Sequence, residues 1–245
     1  MTPDLIPYAA GILLLAYFVR GISGFGSGLI AVPLLALKLP LTFVVPLILL
    51  TDFTASATLG GLNLRQVAWD EIRRLAIPSL FGIALGTWLL VSLPKEPLLV
   101  VLASFVILFA LRNLLLSGRP PRPIHPAWAW PAALTGGSVG AMFGTGGPPY
   151  VIYLSHRLFD KGRLRATFSG LFFFEGIARI ATFLVSGLLL HTHLWLAYLG
   201  AVPVALAALW AGSHVHSRLS NEQMLKLISL ILLGSGAALY AKAFA

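Results

Sequence analysis

Cysteine is absent from the 245 residues, and acidic side chains are scarce: 8 Asp+Glu stand against 17 Lys+Arg. The first absence excludes disulfides, thiolate metal sites, cysteine nucleophiles and thiol redox chemistry. Charged residues make up 10% of the chain and apolar residues 58%, where a soluble domain carries roughly 25% charged residues. A water-soluble globule has too little polar cover at this composition. The formal charge of +9 is the one feature that points toward nucleic acid, but the basic residues fall in short clusters between long apolar runs. That distribution fits the positive-inside bias of a membrane protein and not a DNA-binding face. The expected surrounding is the lipid bilayer, with no nucleic acid. Met1-Thr2-Pro3-Asp4 puts no basic residue ahead of the first apolar run. The start therefore lacks the n-region of a secretory signal and reads as the beginning of the first membrane element.

Five apolar elements precede residue 118: 4–20, a shorter 28–38, 41–62, 73–93 and 97–117. Five more follow residue 126: 127–142, a shorter 147–156, 164–189, 192–214 and 222–243. The long ones carry about the 20 residues that a helix needs to cross a hydrocarbon core. Strand-like alternation is missing, which argues against a β-barrel. The expected fold class is an all-α, multi-pass integral membrane protein. Ser117 to Pro123 is polar and Pro-rich, and it divides the chain into a first membrane repeat (1–118), a cytoplasmic linker (119–126) and a second membrane repeat (127–245).

The two halves are related in sequence. Phe25-Gly26-Ser27-Gly28 returns as Phe143-Gly144-Thr145-Gly146, 118 residues later. Pro78, Gly82 and Gly86 return as Pro203, Ala207 and Ala211, and Glu96 and Leu99 return as Glu222 and Leu225. Ordered matches of this kind indicate a duplication. Loop charge then sets orientation: Arg65, Arg73 and Arg74, the arginines around the linker, Arg157 to Arg165, and Arg218 with Lys226 all become cytoplasmic if each short element returns the chain to its starting side. Lys95 and the His191–His193 turn then face outward. The halves have opposite orientation under this assignment, the inverted-repeat architecture of many secondary transporters.

The short elements carry the chemistry. Gly21 to Gly28 holds four glycines in eight residues and runs into Pro33; Gly140 to Pro149 has the same character. Glycine costs about 1 kcal/mol relative to alanine in a helix, so each motif reads as a chain break followed by a half-helix. Unwound backbone inside a bilayer has to be satisfied by protein or by a water-filled cavity. A half-helix N-terminus offers unpaired N–H groups and partial positive charge to an anion. Ser27 and Thr145 stand at matching places, where a hydroxyl can cap the helix or donate to a ligand. The competing reading is that these glycines only allow close helix packing.

Gly24-Phe25-Gly26-Ser27-Gly28 through Pro33, with Phe143-Gly144-Thr145-Gly146-Gly147-Pro148-Pro149 in the second half, resembles the sulfite exporter TauE/SafE family over essentially the whole chain. The resemblance implies a small permease of the bacterial inner membrane that moves sulfite, organosulfonates or related sulfur-containing anions. It implies no cofactor, no bound metal and no catalytic residue, and a homodimer is compatible with it. The expected substrate-binding residues are Gly24, Phe25, Gly26, Ser27, Gly28, Phe143, Gly144, Thr145, Gly146, Gly147 and the nearby Tyr150.

Ionisable residues within apolar stretches complete the set. Asp52 and Glu175 each fall about 16 Å along their elements, near the bilayer centre. A charge there costs at least about 2.5–3.5 kcal/mol, so it faces a cavity or a partner. Both are expected to carry protons that couple transport to the gradient. Arg20 and Arg179 are expected to face the ligand, Arg20 with the stronger claim because no acid stands beside it in sequence. Glu175 and Arg179, one turn apart, have the alternative of a purely structural pair. The pairs His191/His193 and His214/His216 do not share a helix face and read as interfacial polar residues. No H-E-x-x-H helix, nucleophile–base arrangement or nucleotide-binding loop is present. An ATP-driven pump is thereby disfavoured; the alternatives to a secondary transporter are a passive anion channel or a membrane-embedded enzyme, the latter weakened by the missing motifs.

Overall fold

The computed structural model describes residues 5–23, 26–59, 64–116, 122–214 and 221–244. Every regular element among them is helical: α1 (Leu5–Ser23), α2 (Ser27–Ala36), α3 (Leu41–Leu59), α4 (Trp69–Ser92), α5 (Lys95–Leu116), α6 (Ala129–Phe143), α7 (Gly147–Ser155), α8 (Lys161–Val185), α9 (Thr192–His214) and α10 (Asn221–Ala243). Six of them, α1, α3, α4, α5, α8 and α9, are long and apolar enough to cross a membrane. The short elements α2 and α7 have 10 and 9 residues. At 1.5 Å per residue each covers about 15 Å or less, half of a hydrocarbon core.

Local chemistry explains the breaks. Gly26 holds φ at 97°, and Gly144, its counterpart in the other half, holds φ at 64°. This left-handed conformation favours glycine, and it stops a helix without a Cβ penalty. Gly144 closes α6 through its N–H to the Gly140 carbonyl (2.9 Å). The two copies then diverge. Ser27 is already the first residue of α2, whereas α7 waits until Gly147 and starts with Pro148 and Pro149, which supply no N–H.

The largest packing pairs are α4 with α6, α1 with α9, and α5 with α10. Exchanging the first five helices for the last five turns α1–α9 into α6–α4 and leaves α5–α10 and α3–α8 unchanged. Glycine makes the first two pairs close. A Cβ on Gly82 would meet the Leu134 carbonyl, and one on Gly137 the Ser79 carbonyl; Gly21 and Gly212 do the same between α1 and α9. Backbones this near gain the van der Waals contact that drives helix association in lipid.

Polar clusters mark the two ends of the bundle. At one, Glu71 on α4 accepts from Arg74 (2.7 Å), Arg157 (2.9 and 3.1 Å) and the Tyr153 hydroxyl (2.5 Å), while Arg157 also donates to the Ile124 carbonyl (3.1 Å). This ties the start of α4 to the end of α7. At the other, Lys242 donates to the carbonyls of Ala36 and Leu37 (2.8 and 2.7 Å) and Tyr8 to that of Leu34 (2.5 Å). These bonds satisfy the C-terminal carbonyls of α2 with a cation placed where the helix dipole favours one.

Candidate functional site

The chain breaks of the two halves meet. A Cβ built on Gly28 would collide with the Gly144 carbonyl and lie 3.8 Å from the Thr145 methyl. Around this contact lies a cavity of about 70 Å³, lined by α1 (Arg20), α2 (Gly26 to Leu29), α3 (Leu49, Asp52, Phe53, Ser56), the segment Gly144–Gly147, and α8 (Phe172, Gly176, Arg179). Arg20 lies 15 residues into α1 and Phe143 14 residues into α6, each about 21–22 Å along its helix at 1.5 Å per residue.

One wall is a saturated network. Asp52 Oδ1 accepts from Arg20 Nη1 (2.5 Å), the Tyr17 hydroxyl (2.6 Å) and the Ser27 hydroxyl (2.7 Å). Arg20 Nη2 donates to Ser56 Oγ (2.7 Å), and Ser56 in turn donates to the Asp52 carbonyl (2.8 Å). Arg20 and Asp52 are 12% and 26% exposed, so the pair is largely removed from solvent and each charge needs the other.

The opposite wall is different. Arg179 donates only to carbonyls, those of Gly140 (3.2 Å) and Glu175 (3.4 Å), and no carboxylate lies within 4.0 Å of it among the described residues. The Thr145 hydroxyl, on a residue 2% exposed, has no hydrogen-bond partner among the described residues. A buried hydroxyl without a partner costs roughly 1–3 kcal/mol, and a ligand or water in the cavity would recover it. The first-turn N–H groups of α2 and that of Gly147 have no intrahelical acceptor by geometry.

Several expected residues sit elsewhere. Phe143 is fully buried at the end of α6, packed in the apolar core, and does not line the cavity. Tyr150 is also away from it: one turn into α7 its side chain swings toward α6 and α8, donating to Glu175 Oε1 and the Ala133 carbonyl. Glu175 follows the same direction. Its carboxylate is buried, held by Tyr150, with Oε2 unpartnered among the described residues; no contact within 4.0 Å joins it to the Arg179 guanidinium. Arg20, expected to lack an acid, has Asp52. Gly24 and Phe25 lie outside the described residues. Sequence reasoning passed over Tyr17 and Ser56, although Tyr17 precedes Arg20 by three residues and so shares its helix face. Among the described residues no three of His, Asp and Glu gather to hold a metal ion.

The family model described as "Sulfite exporter TauE/SafE" matches residues 9–239. A Comamonas testosteroni protein named "Probable inner membrane transporter protein TsaS" is 29% identical over 196 residues, which cover 79% of this chain and 81% of that protein. No solved structure matches the chain.

Proposed function

The chain belongs to the sulfite exporter TauE/SafE family of membrane transporters, and from that premise we propose that it is a secondary transporter moving a small sulfur-containing oxyanion across the bacterial inner membrane. The observation that carries this reading is one cavity, at the start of two half-helices, lined both by the Arg179 guanidinium, which has no carboxylate within 4.0 Å among the described residues, and by Thr145, whose hydroxyl has no partner there. Preorganised N–H, O–H and guanidinium donors suit sulfite or a sulfonate head group, which presents three oxygens. Substrate binding falls to Arg179, Thr145, Ser27 and the backbone of Gly26–Gly28 and Gly144–Gly147, with Arg20 at the edge.

Proton coupling falls to Glu175 in preference to Asp52. Asp52 is engaged by a cation and two hydroxyls, whereas Glu175 is buried beside a single hydroxyl donor. An intramembrane carboxyl with a hydroxyl donor and no cation within 4.0 Å among the described residues is the kind of group that proton relays use. In proteoliposomes the wild type is expected to accumulate sulfite or a short sulfonate when a proton gradient is imposed. Glu175→Gln is expected to lose that accumulation and to keep counterflow exchange. Uphill transport by Glu175→Gln would remove Glu175 from the coupling, and wild-type flux indifferent to the gradient would make the protein a passive channel.

Two inverted repeats, 1–118 and 127–245 about the linker 119–126, are part of this proposal. The exchange symmetry of the helix pairs supports them, as does the anchoring of α2 and α7 at opposite ends of the bundle. Single cysteines in this cysteine-free chain test the arrangement. A cysteine at Arg122 is expected to react only from the cytoplasm and one at His193 only from outside; labelling of both from the same side overturns it.

A further inference from the structure

Resting on the reading of this cavity as the anion site, we propose that Asp52 is a built-in counter-ion that sets the charge of the cargo: the cavity accepts a singly charged oxyanion and discriminates against a dianion of the same shape. Three charged side chains line the cavity, Arg20, Asp52 and Arg179. Arg20 is committed to Asp52 at 2.5 Å and its other donors go to Ser27 and Ser56. Glu175 does not line the cavity, and its carboxylate is turned to Tyr150. The charged side chains that line the cavity among the described residues therefore leave a net positive charge of one, on Arg179.

Charge on the ligand acts in two opposing ways. Its desolvation cost grows with the square of the charge, whereas its attraction to fixed charges and helix termini grows only in proportion. With a net positive charge of one on the lining side chains, a second negative charge adds more cost than attraction, and it also meets the Asp52 carboxylate within the same cavity. A sulfonate or hydrogen sulfite fits this balance; sulfate and thiosulfate do not. Removing the Asp52 charge frees Arg20 and raises the attractive part alone, so the order moves toward the dianion.

Methanesulfonate and thiosulfate are suitable probes, because both are tetrahedral at sulfur with three oxygens and one further substituent and differ mainly in charge. Binding is measured by calorimetry on protein in nanodiscs, at fixed pH and ionic strength. The wild type is expected to bind methanesulfonate about tenfold or more tighter than thiosulfate, and Asp52→Asn to move that ratio by about tenfold toward thiosulfate. Asp52→Glu, which keeps the charge, is expected to keep the wild-type order. Equal or tighter thiosulfate binding by the wild type overturns the proposal, and that comparison stands even if Asp52→Asn does not fold. A folded Asp52→Asn with an unchanged ratio overturns it as well. Failure of the wild type to bind either anion refutes instead the reading of the cavity as an anion site.

Discussion

Gly28→Val is expected to abolish anion-dependent stabilisation and transport, while Gly26→Ala keeps both. The first substitution places a branched side chain where the Gly144 carbonyl already stands, backbone against backbone, so nothing flexible can yield. The two chain breaks would have to separate, and with them the donors that face the cavity. A displacement near 1 Å in a positioned site costs on the order of a hundredfold in rate. At Gly26 a Cβ meets nothing within 4 Å. The only penalty there is the left-handed backbone at φ 97°, about 1–2 kcal/mol of fold stability with the cavity left open. Thermal melts and size exclusion establish that each variant is folded, and thermal shift with a sulfonate reads the site. Gly28→Val that folds and binds like the parent would remove the touching chain breaks from the site.

This contrast shows what the sequence could reveal and what it could not. Composition and run length alone expose a helical membrane protein, because a chain so poor in charge has no other way to satisfy its backbone. The doubled glycine motif also locates the breaks, since Gly26 and Gly144 both adopt the left-handed conformation that the repeat implies. Which glycine makes the close approach is a matter of how α2 and α7 meet, and no local pattern encodes that. The same limit applies to charge partners. Phe143 opens the second motif and Tyr150 follows it directly in sequence, yet neither lines the cavity. Arg20 and Asp52 stand 32 positions apart and meet only because α1 and α3 both pack against α2. Glu175 and Arg179, one turn apart, looked like the natural pair, but the Tyr150 hydroxyl takes the carboxylate instead.

The Arg20–Asp52 contact supplies the second large effect. Arg20→Gln is expected to lower stability by about 3 kcal/mol, because it strands a carboxylate that only the Tyr17 and Ser27 hydroxyls then hold. That figure is at the low end for a broken buried pair, since Asp52 keeps 26% exposure. Adding Asp52→Asn to Arg20→Gln removes the stranded charge and is expected to restore most of the loss, leaving an amide that still accepts from Tyr17. The double variant also returns the cavity to a single cation, Arg179, so it is expected to bind methanesulfonate in preference to thiosulfate as the wild type does. A four-member cycle of thermal stabilities in one detergent isolates the pair from its surroundings. Coupling of about 2 kcal/mol or more fits two charges withdrawn from water into a shared network. Coupling below about 0.5 kcal/mol is what an exposed ion pair gives, and it would mean that Arg20 is free to leave Asp52 for the ligand.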